Sequence, residues 1–502
     1  PVFEELMNHS VIIRERSIPS VGRGPLVLNL VVDPVRSGIV DVMFVTAEIE
    51  PLVATGGLGA AAAGLVHALR TAGVDCIPVV PDYGNWPLED EHCLDLEVPS
   101  WVGHARVRTG TCAGLGAVAL IDVAGISRPH PYVDPVTGVG WPDNDQRFFA
   151  FSRAAAAWAA EVRPKIVHVN DWHAATTLAH LSPDQRTVLS IHNLAHQGWS
   201  DRGWLEAFGE RAERFEFQGS VNALAGALNC ADRIVTVSPR YAEEIHEDHL
   251  GMGLAPLIRM RGADVVGILN GIDTEDWNPA TDRYLAANYS TFDSAAKAQS
   301  QKVVCAELGL SEGPGPLVVC VTRLDFQKGI DQLIDVVHVL SGIPVRVALL
   351  GSGDHALEEA AGIVAVGSNA TVAFRRGYDR TLAHQLFAAG DFALIPSRFE
   401  PCGLTQMQAM RYGTIPIVAD VGGLHDTVID ADQFPKLGTG IVMREVSAAG
   451  IVDGVHRAAR ISKSPSRQRA IANRGMARDW SWDGPAQRYT EMYKEVLWPG
   501  SF

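Results

Sequence analysis

Glu400, Arg323, Lys328 and a group of histidines all stand where strand-like runs give way to helix-like ones, and that placement sets the chemistry open to them. Glu400 lies in Pro396-Ser397-Arg398-Phe399-Glu400-Pro401-Cys402-Gly403-Leu404-Thr405-Gln406, between an apolar run at 392–395 and a helix pattern that opens at Gly403. Free N–H groups at a helix start make a natural site for an anionic ligand. Arg323 and Lys328 occupy a second such junction, Thr322-Arg323-Leu324-Asp325-Phe326-Gln327-Lys328-Gly329. Two cations there suit a pyrophosphate, because they neutralise charge as a phosphate leaves. A third junction is His168-Val169-Asn170-Asp171-Trp172-His173, and His192-Asn193 follows one strand later. Asp171 and His173 can bind sugar hydroxyls, and the repeat at His192 and Asn193 points to one cleft edge. A metal site lacks a third ligand at useful spacing. Each feature has a plainer reading as a solvated loop charge or a structural histidine.

These junctions need elements to carry them. From Asp41 the chain alternates strand and helix patterns. The Val42-Met43-Phe44-Val45 strand leads through Gly56-Gly57-Leu58 into an Ala-rich helix reaching Leu69, then a strand at 76–80. A glycine-rich first turn lets backbone approach phosphate closely, although the dinucleotide spacing is absent. Further strands are expected at 118–122, 166–169, 187–191 and 234–237, with helices at 145–160 and ending near 231. After a polar crossing at 280–301, strands follow at 317–321, 345–350, 371–374, 392–395 and 415–418. The pattern implies an α/β chain with two Rossmann-like, doubly wound domains facing an interdomain cleft. We divide it into an N-terminal extension (1–38, with one strand at 26–32), a first domain (39–275), a second (276–480) and a terminal helix (481–502) that folds back as a brace. Gly351-Ser352-Gly353-Asp354-His355-Ala356 is a weak dinucleotide fingerprint, and Arg375 and Arg376 stand where an acidic ribose ligand would be.

Composition narrows the classes. With 502 residues, two large cores are expected. Asp and Glu outnumber Lys and Arg by 58 to 42, which disfavours nucleic acid as a partner. No run reaches the roughly 18 apolar residues of a membrane helix, and 1–24 lacks signal-peptide order. Seven scattered cysteines with no CxxC spacing fit a reducing cytoplasm.

Taken together, Thr55-Gly56-Gly57-Leu58, Asp171-Trp172-His173-Ala174, His192-Asn193-Leu194-Ala195, Leu269-Asn270-Gly271-Ile272-Asp273, Arg323-Leu324 through Lys328-Gly329, and Arg398 through Gln406 closely resemble bacterial glycogen and starch synthases. These are retaining glycosyltransferases of family 5 with the two-domain GT-B fold. The resemblance spans about 41–482. It implies that Arg323 and Lys328 hold the donor pyrophosphate, that Glu400 contacts the transferred sugar, and that Gly403, Leu404 and Thr405 present main-chain N–H groups. It further implies that His173 lies by the sugar's 6-hydroxyl and reacting carbon with Asn270 beside it, and that Tyr378 stacks on the base. Gly56 and Gly57 would line the donor side, and Asp171, His192 and Asn193 the sugar side. The family uses no cofactor and no bound metal. Its partners are an α-linked nucleotide sugar and a saccharide acceptor, joined by front-face attack.

The chain departs from the family pattern on the sugar side. The family's Lys-Thr-Gly-Gly-Leu lysine and the following Asp are Ala54 and Ala60 here. A second family lysine falls in Ala223-Leu224-Ala225, and Ala419 and Asp420 stand where Arg is common. We expect these changes to strip charge from the cleft edge. Three functions are compatible: a hexosyltransferase with altered donor or acceptor; a pseudo-glycosyltransferase joining a nucleotide-activated, valienol-type cyclitol to an amino sugar through a C–N bond, as in acarbose-like biosynthesis; or a non-catalytic glucan-binding paralogue.

Overall fold

Charge-free runs such as Val42-Met43-Phe44-Val45 and Phe392-Ala393-Leu394-Ile395 need both faces covered, and each is a strand with no exposed residue. A computed structural model describes residues 41–499 apart from 85, 312, 314 and 341. The N-terminal extension and its expected strand at 26–32 lie outside the described residues.

The first sheet runs parallel in the order Val265–Gly267, Arg233–Thr236, Arg186–Ile191, Ile166–Asn170, Val42–Val45, Cys76–Pro81 and Gly116–Val123. Ala105–Cys112 and Glu89–Asp95 then extend it antiparallel. This pair is a departure from the expected pattern. All seven residues of Glu89–Asp95 are exposed, so that strand has no buried face to write a hydrophobic period.

The second sheet is parallel throughout: Val372–Arg376, Arg346–Gly351, Leu317–Val321, Phe392–Ile395, Ile415–Val418 and Ile441–Val442. Helices cover both sheets in the doubly wound GT-B manner. Strand order reverses between Val42–Val45 and Ile166–Asn170 in one sheet, and between Leu317–Val321 and Phe392–Ile395 in the other. Ligands of such sheets bind outside the carboxyl ends of the strands at the reversal. All three chemistry-bearing junctions emerge there.

The helix Asp483–Leu497 buries Ala486, Tyr489, Met492, Tyr493 and Val496 in the same apolar cluster as Leu65, Val66 and Leu69 of helix Gly57–Thr71. Gly64 permits this packing, since a Cβ there would lie 2.0 Å from Trp482 Nε1. His168 belongs to this brace. Its Nδ1 lies 2.7 Å from the Tyr493 hydroxyl and its Nε2 2.7 Å from Ser190 Oγ.

Candidate active site

The phosphate-side wall is built from two loops of the second sheet. Lys328 Nζ donates to Glu400 Oε2 at 2.6 Å, and Ser397 Oγ donates to the same oxygen at 2.9 Å. Glu400 is only 5% exposed, so its charge is compensated by a cation and a hydroxyl rather than by water. Gly329 brings the loops together, because a Cβ on it would stand 2.2 Å from the Pro396 carbonyl oxygen. Arg323 is half-exposed and is held by Asp325 at 3.2 Å, which leaves most of its donors free. Arg398 has another task. Its guanidinium forks onto Asp331 at 2.7 Å twice, donates to Phe326 O and lies 3.9 Å over the Phe326 ring, pinning one loop on the other. Helix Thr405–Arg411 follows Gly403, whose φ of +70° suits glycine, and Leu404 caps it without a side-chain hydrogen bond. A Cβ built on Gly57 would sit 3.7 Å from Leu404 Cδ1, so the glycine loop of one domain faces the helix start of the other.

The opposite wall contains a residue that motif reading did not single out. Glu48 is 4% exposed and accepts hydrogen bonds from Thr55 N (2.6 Å), Thr55 Oγ1 (2.8 Å), Gly56 N (3.3 Å) and the Tyr132 hydroxyl (2.6 Å). It thereby shapes the glycine loop, where Gly56 and Gly57 are exposed. The Tyr132 ring then lies 4.7 Å from the His173 ring at 31°. His173 is 9% exposed, also packs on Trp172 and Phe148, and its Nδ1 has no partner. Burial holds its pKa well below the usual imidazole range, so it is neutral, and its orphaned nitrogen is buried.

Asp171 is buried and occupied by the neighbouring loop. Held at φ +53°, its Oδ1 accepts from His192 N (2.7 Å) and Asn193 N (3.4 Å). Burial pushes its pKa up to about 7 against those two donors. His192 Nε2 lies 3.0 Å from Asn170 Oδ1, and burial lowers its pKa to about 4. Asn193 reaches the other domain, donating to Gln327 Oε1 at 3.3 Å, while Gln327 donates to Phe399 O at 3.3 Å beside Glu400. Gln327 thus links the two walls. Asn270 is buried with its backbone N–H towards the Cys402 thiol, and burial drives that thiol up to about 12. Tyr378 is 71% exposed at the outer end of the phosphate-side wall.

The departures from the family pattern differ in burial. Ala54 is exposed and Ala60 half-buried on the glycine loop. Ala225 and Ala419, in contrast, have no exposure. Ala225 sits in the first turn of the core helix Ala223–Cys230, capped by Asn222. Asp420 is exposed and 2.7 Å from His425. The glycines of the 351–356 stretch also serve packing: a Cβ on Gly353 would meet Leu324 O at 2.2 Å. Arg375 and Arg376 pair with Glu307 and Glu358.

Residues 41–260 match the family described as starch synthase catalytic domain, and 309–475 match glycosyl transferases group 1. A glycogen synthase of Acidiphilium cryptum is 39% identical over 475 residues, covering 91% of this chain and 99% of its own. One from Rhodopseudomonas palustris is 38% identical over 476 residues, covering 91% and 98%. Among solved structures, the catalytic domain of starch synthase IV from Arabidopsis thaliana, bound to ADP and acarbose, superposes with a TM-score of 0.82 at 30% identity, covering 92% of this chain and 100% of that one. Sucrose-phosphate synthase from Thermosynechococcus elongatus shares the fold alone, with a TM-score of 0.59 at 19% identity over 91% of this chain and 99% of that one. Likeness of this length on both domains makes the chain a member of the glycogen and starch synthase family, a glycosyltransferase of glycogen-synthase type.

Proposed function

We propose that this enzyme transfers a nucleotide-activated, hexose-like group to a sugar acceptor with retention of configuration and without a bound metal, and that its donor or acceptor differs from a glycogen synthase's. The observation that carries the reading is the contrast between the walls. The Lys328–Glu400–Ser397 group and half-exposed Arg323 are of the kind that receive a departing diphosphate and a sugar hydroxyl. On the other wall stands His173, neutral and with its Nδ1 buried and unpartnered, and Ala54 leaves the glycine loop without a cation.

On this reading each residue has a role. Arg323 and Lys328 neutralise the leaving phosphate, and the N–H groups at Gly403, Leu404 and Thr405 assist. Glu400 orients the transferred group, and Tyr378 stacks on the base. The carboxylates of Glu48 and Asp171 are both occupied by loop N–H groups, which favours attack assisted by the leaving phosphate over a carboxylate nucleophile. Residues 39–275 act as the acceptor-side domain, 276–480 as the donor-side domain, and 481–502 return to the first. Cysteines that form no disulfide among the described residues suit a cytoplasmic setting, and no helix of the described residues is long and apolar enough to cross a membrane.

A second reading gains support from Ala54. A cyclitol has no ring oxygen, so the cation it forms needs different neighbours from a glucosyl cation. Loss of a positive side chain beside the sugar position suits a nucleotide-activated cyclitol joined to an amino sugar through a C–N bond. Incubation with ADP-, UDP- and GDP-glucose plus maltooligosaccharide separates the two. Slow chain lengthening, raised in Ala54→Lys, supports hexosyl transfer with an altered donor or acceptor, whereas lengthening by wild type at a glycogen synthase's rate would overturn the alteration. Coupling of a nucleotide-cyclitol to an amino sugar, with no glucan product, supports the second. Failure of every nucleotide to bind would overturn both and leave a non-catalytic paralogue.

A further inference from the structure

An aromatic face stacks on any base, so Tyr378 leaves the nucleotide open. A second side chain stands beside it. Arg380 opens helix Arg380–Ala389 two residues further on. One amino group of its guanidinium bonds Asp276 Oδ2 at 2.6 Å, yet the side chain stays 41% exposed. Asp276 is backed by a buried assembly. His384 has no exposure, and its Nε2, without a hydrogen-bond partner, lies 3.7 Å from Asp276 Oδ2. Its Nδ1 is 2.8 Å from Asp282 Oδ2, which also accepts the Tyr412 hydroxyl at 2.5 Å. Trp277 lies flat on the His384 ring at 3.9 Å and 11°. An ordinary surface ion pair holds two flexible chains in one geometry for little gain. Here Asp276, one end of that pair, is set by the core, and the guanidinium beside the exposed phenol is held with it. Glu50 approaches from the other domain and feels the Arg380 charge.

We propose that Arg380 is a specificity-determining residue for the donor nucleotide, reading the edge of the base stacked on Tyr378 and favouring a carbonyl-bearing base, guanine first, over adenine. The inference rests on the nucleotide-donor reading above. A guanidinium has five N–H donors and no acceptor. Guanine sets O6 and N7 side by side, which an arginine fork takes as a bidentate pair; adenine puts an amino donor in the O6 position. Uracil offers one carbonyl at its corresponding edge. The order of affinity is therefore GDP, then UDP, then ADP.

Calorimetric titration of the full chain with GDP, UDP and ADP, in wild type, Arg380→Ala and Arg380→Lys, tests this. GDP should bind about tenfold more tightly than ADP, the scale of one good bidentate contact. Arg380→Ala should erase that preference while leaving ADP binding little changed. Arg380→Lys keeps the charge opposite Asp276 but not the fork, so it should melt like wild type and still lose the preference. ADP bound as tightly as GDP by wild type, or an unchanged order in both variants, would overturn the proposal. Absence of binding by all three nucleotides in wild type would remove the donor reading itself and this inference with it.

Discussion

Asp171 illustrates what one buried carboxylate does to a protein's pH response. Its pKa is raised from 3.8 to about 7, chiefly by burial. The folded state therefore holds a proton that the unfolded chain has released between those values. Stability from this group is full below the unfolded pKa and is lost as pH rises through the folded one. Asp171→Asn keeps the acceptor for His192 and Asn193 and removes the titration. Urea unfolding at pH 4.5 and pH 7 should show the variant gaining on wild type as pH rises, by up to about 1.4 kcal/mol per pH unit. An equal pH response in both proteins would contradict the assignment. At this scale the sequence was informative about residue type at a junction: Glu400, Lys328, Arg323 and His173 all reach the reversal points. It was silent on Glu48, Ser397 and Gln327. Their partners are brought in by tertiary packing, as with Tyr132, 84 positions from Glu48. Nor does a motif position say how buried a residue is, as Ala225 and Ala419 show.

At the scale of elements, the glycine loop is shaped by one carboxylate rather than by its glycines alone. Glu48 meets four donors from Thr55, Gly56 and Tyr132, and a carboxamide cannot accept with both ends. Glu48→Gln should leave at least one buried donor unsatisfied and cost about 1–3 kcal/mol. The urea midpoint measures this, and an unchanged midpoint would show that the loop stands without the carboxylate. Strands buried on both faces were legible to within a residue or two, since nothing but a covered parallel sheet accommodates 317–321 or 392–395. The antiparallel strand Glu89–Asp95 was not. Its side chains are exposed throughout, and its ion pairs with Arg106 and Arg108 carry no periodic signal.

At the scale of the whole molecule, the two sheets place their reversal points face to face, and few side chains bridge the gap. Asn193 to Gln327 joins the walls, Ser238 Oγ donates to Pro401 O at 2.6 Å, and the Gly422 N–H donates to Glu244. The terminal helix, tied to His168 through Tyr493, braces the first sheet from behind. The frame therefore holds Lys328 and Arg323 opposite His173 across a cleft, and the account stands on those cations easing the departure of a diphosphate. The most direct test is nucleotide release from the preferred nucleotide-activated donor by Lys328→Ala, beside wild type and with folding checked by its melt. The prediction is a fall of about 100-fold or more in kcat, as when a preorganised charge-stabilising donor is removed. A folded Lys328→Ala enzyme that turns over as fast as wild type would contradict it.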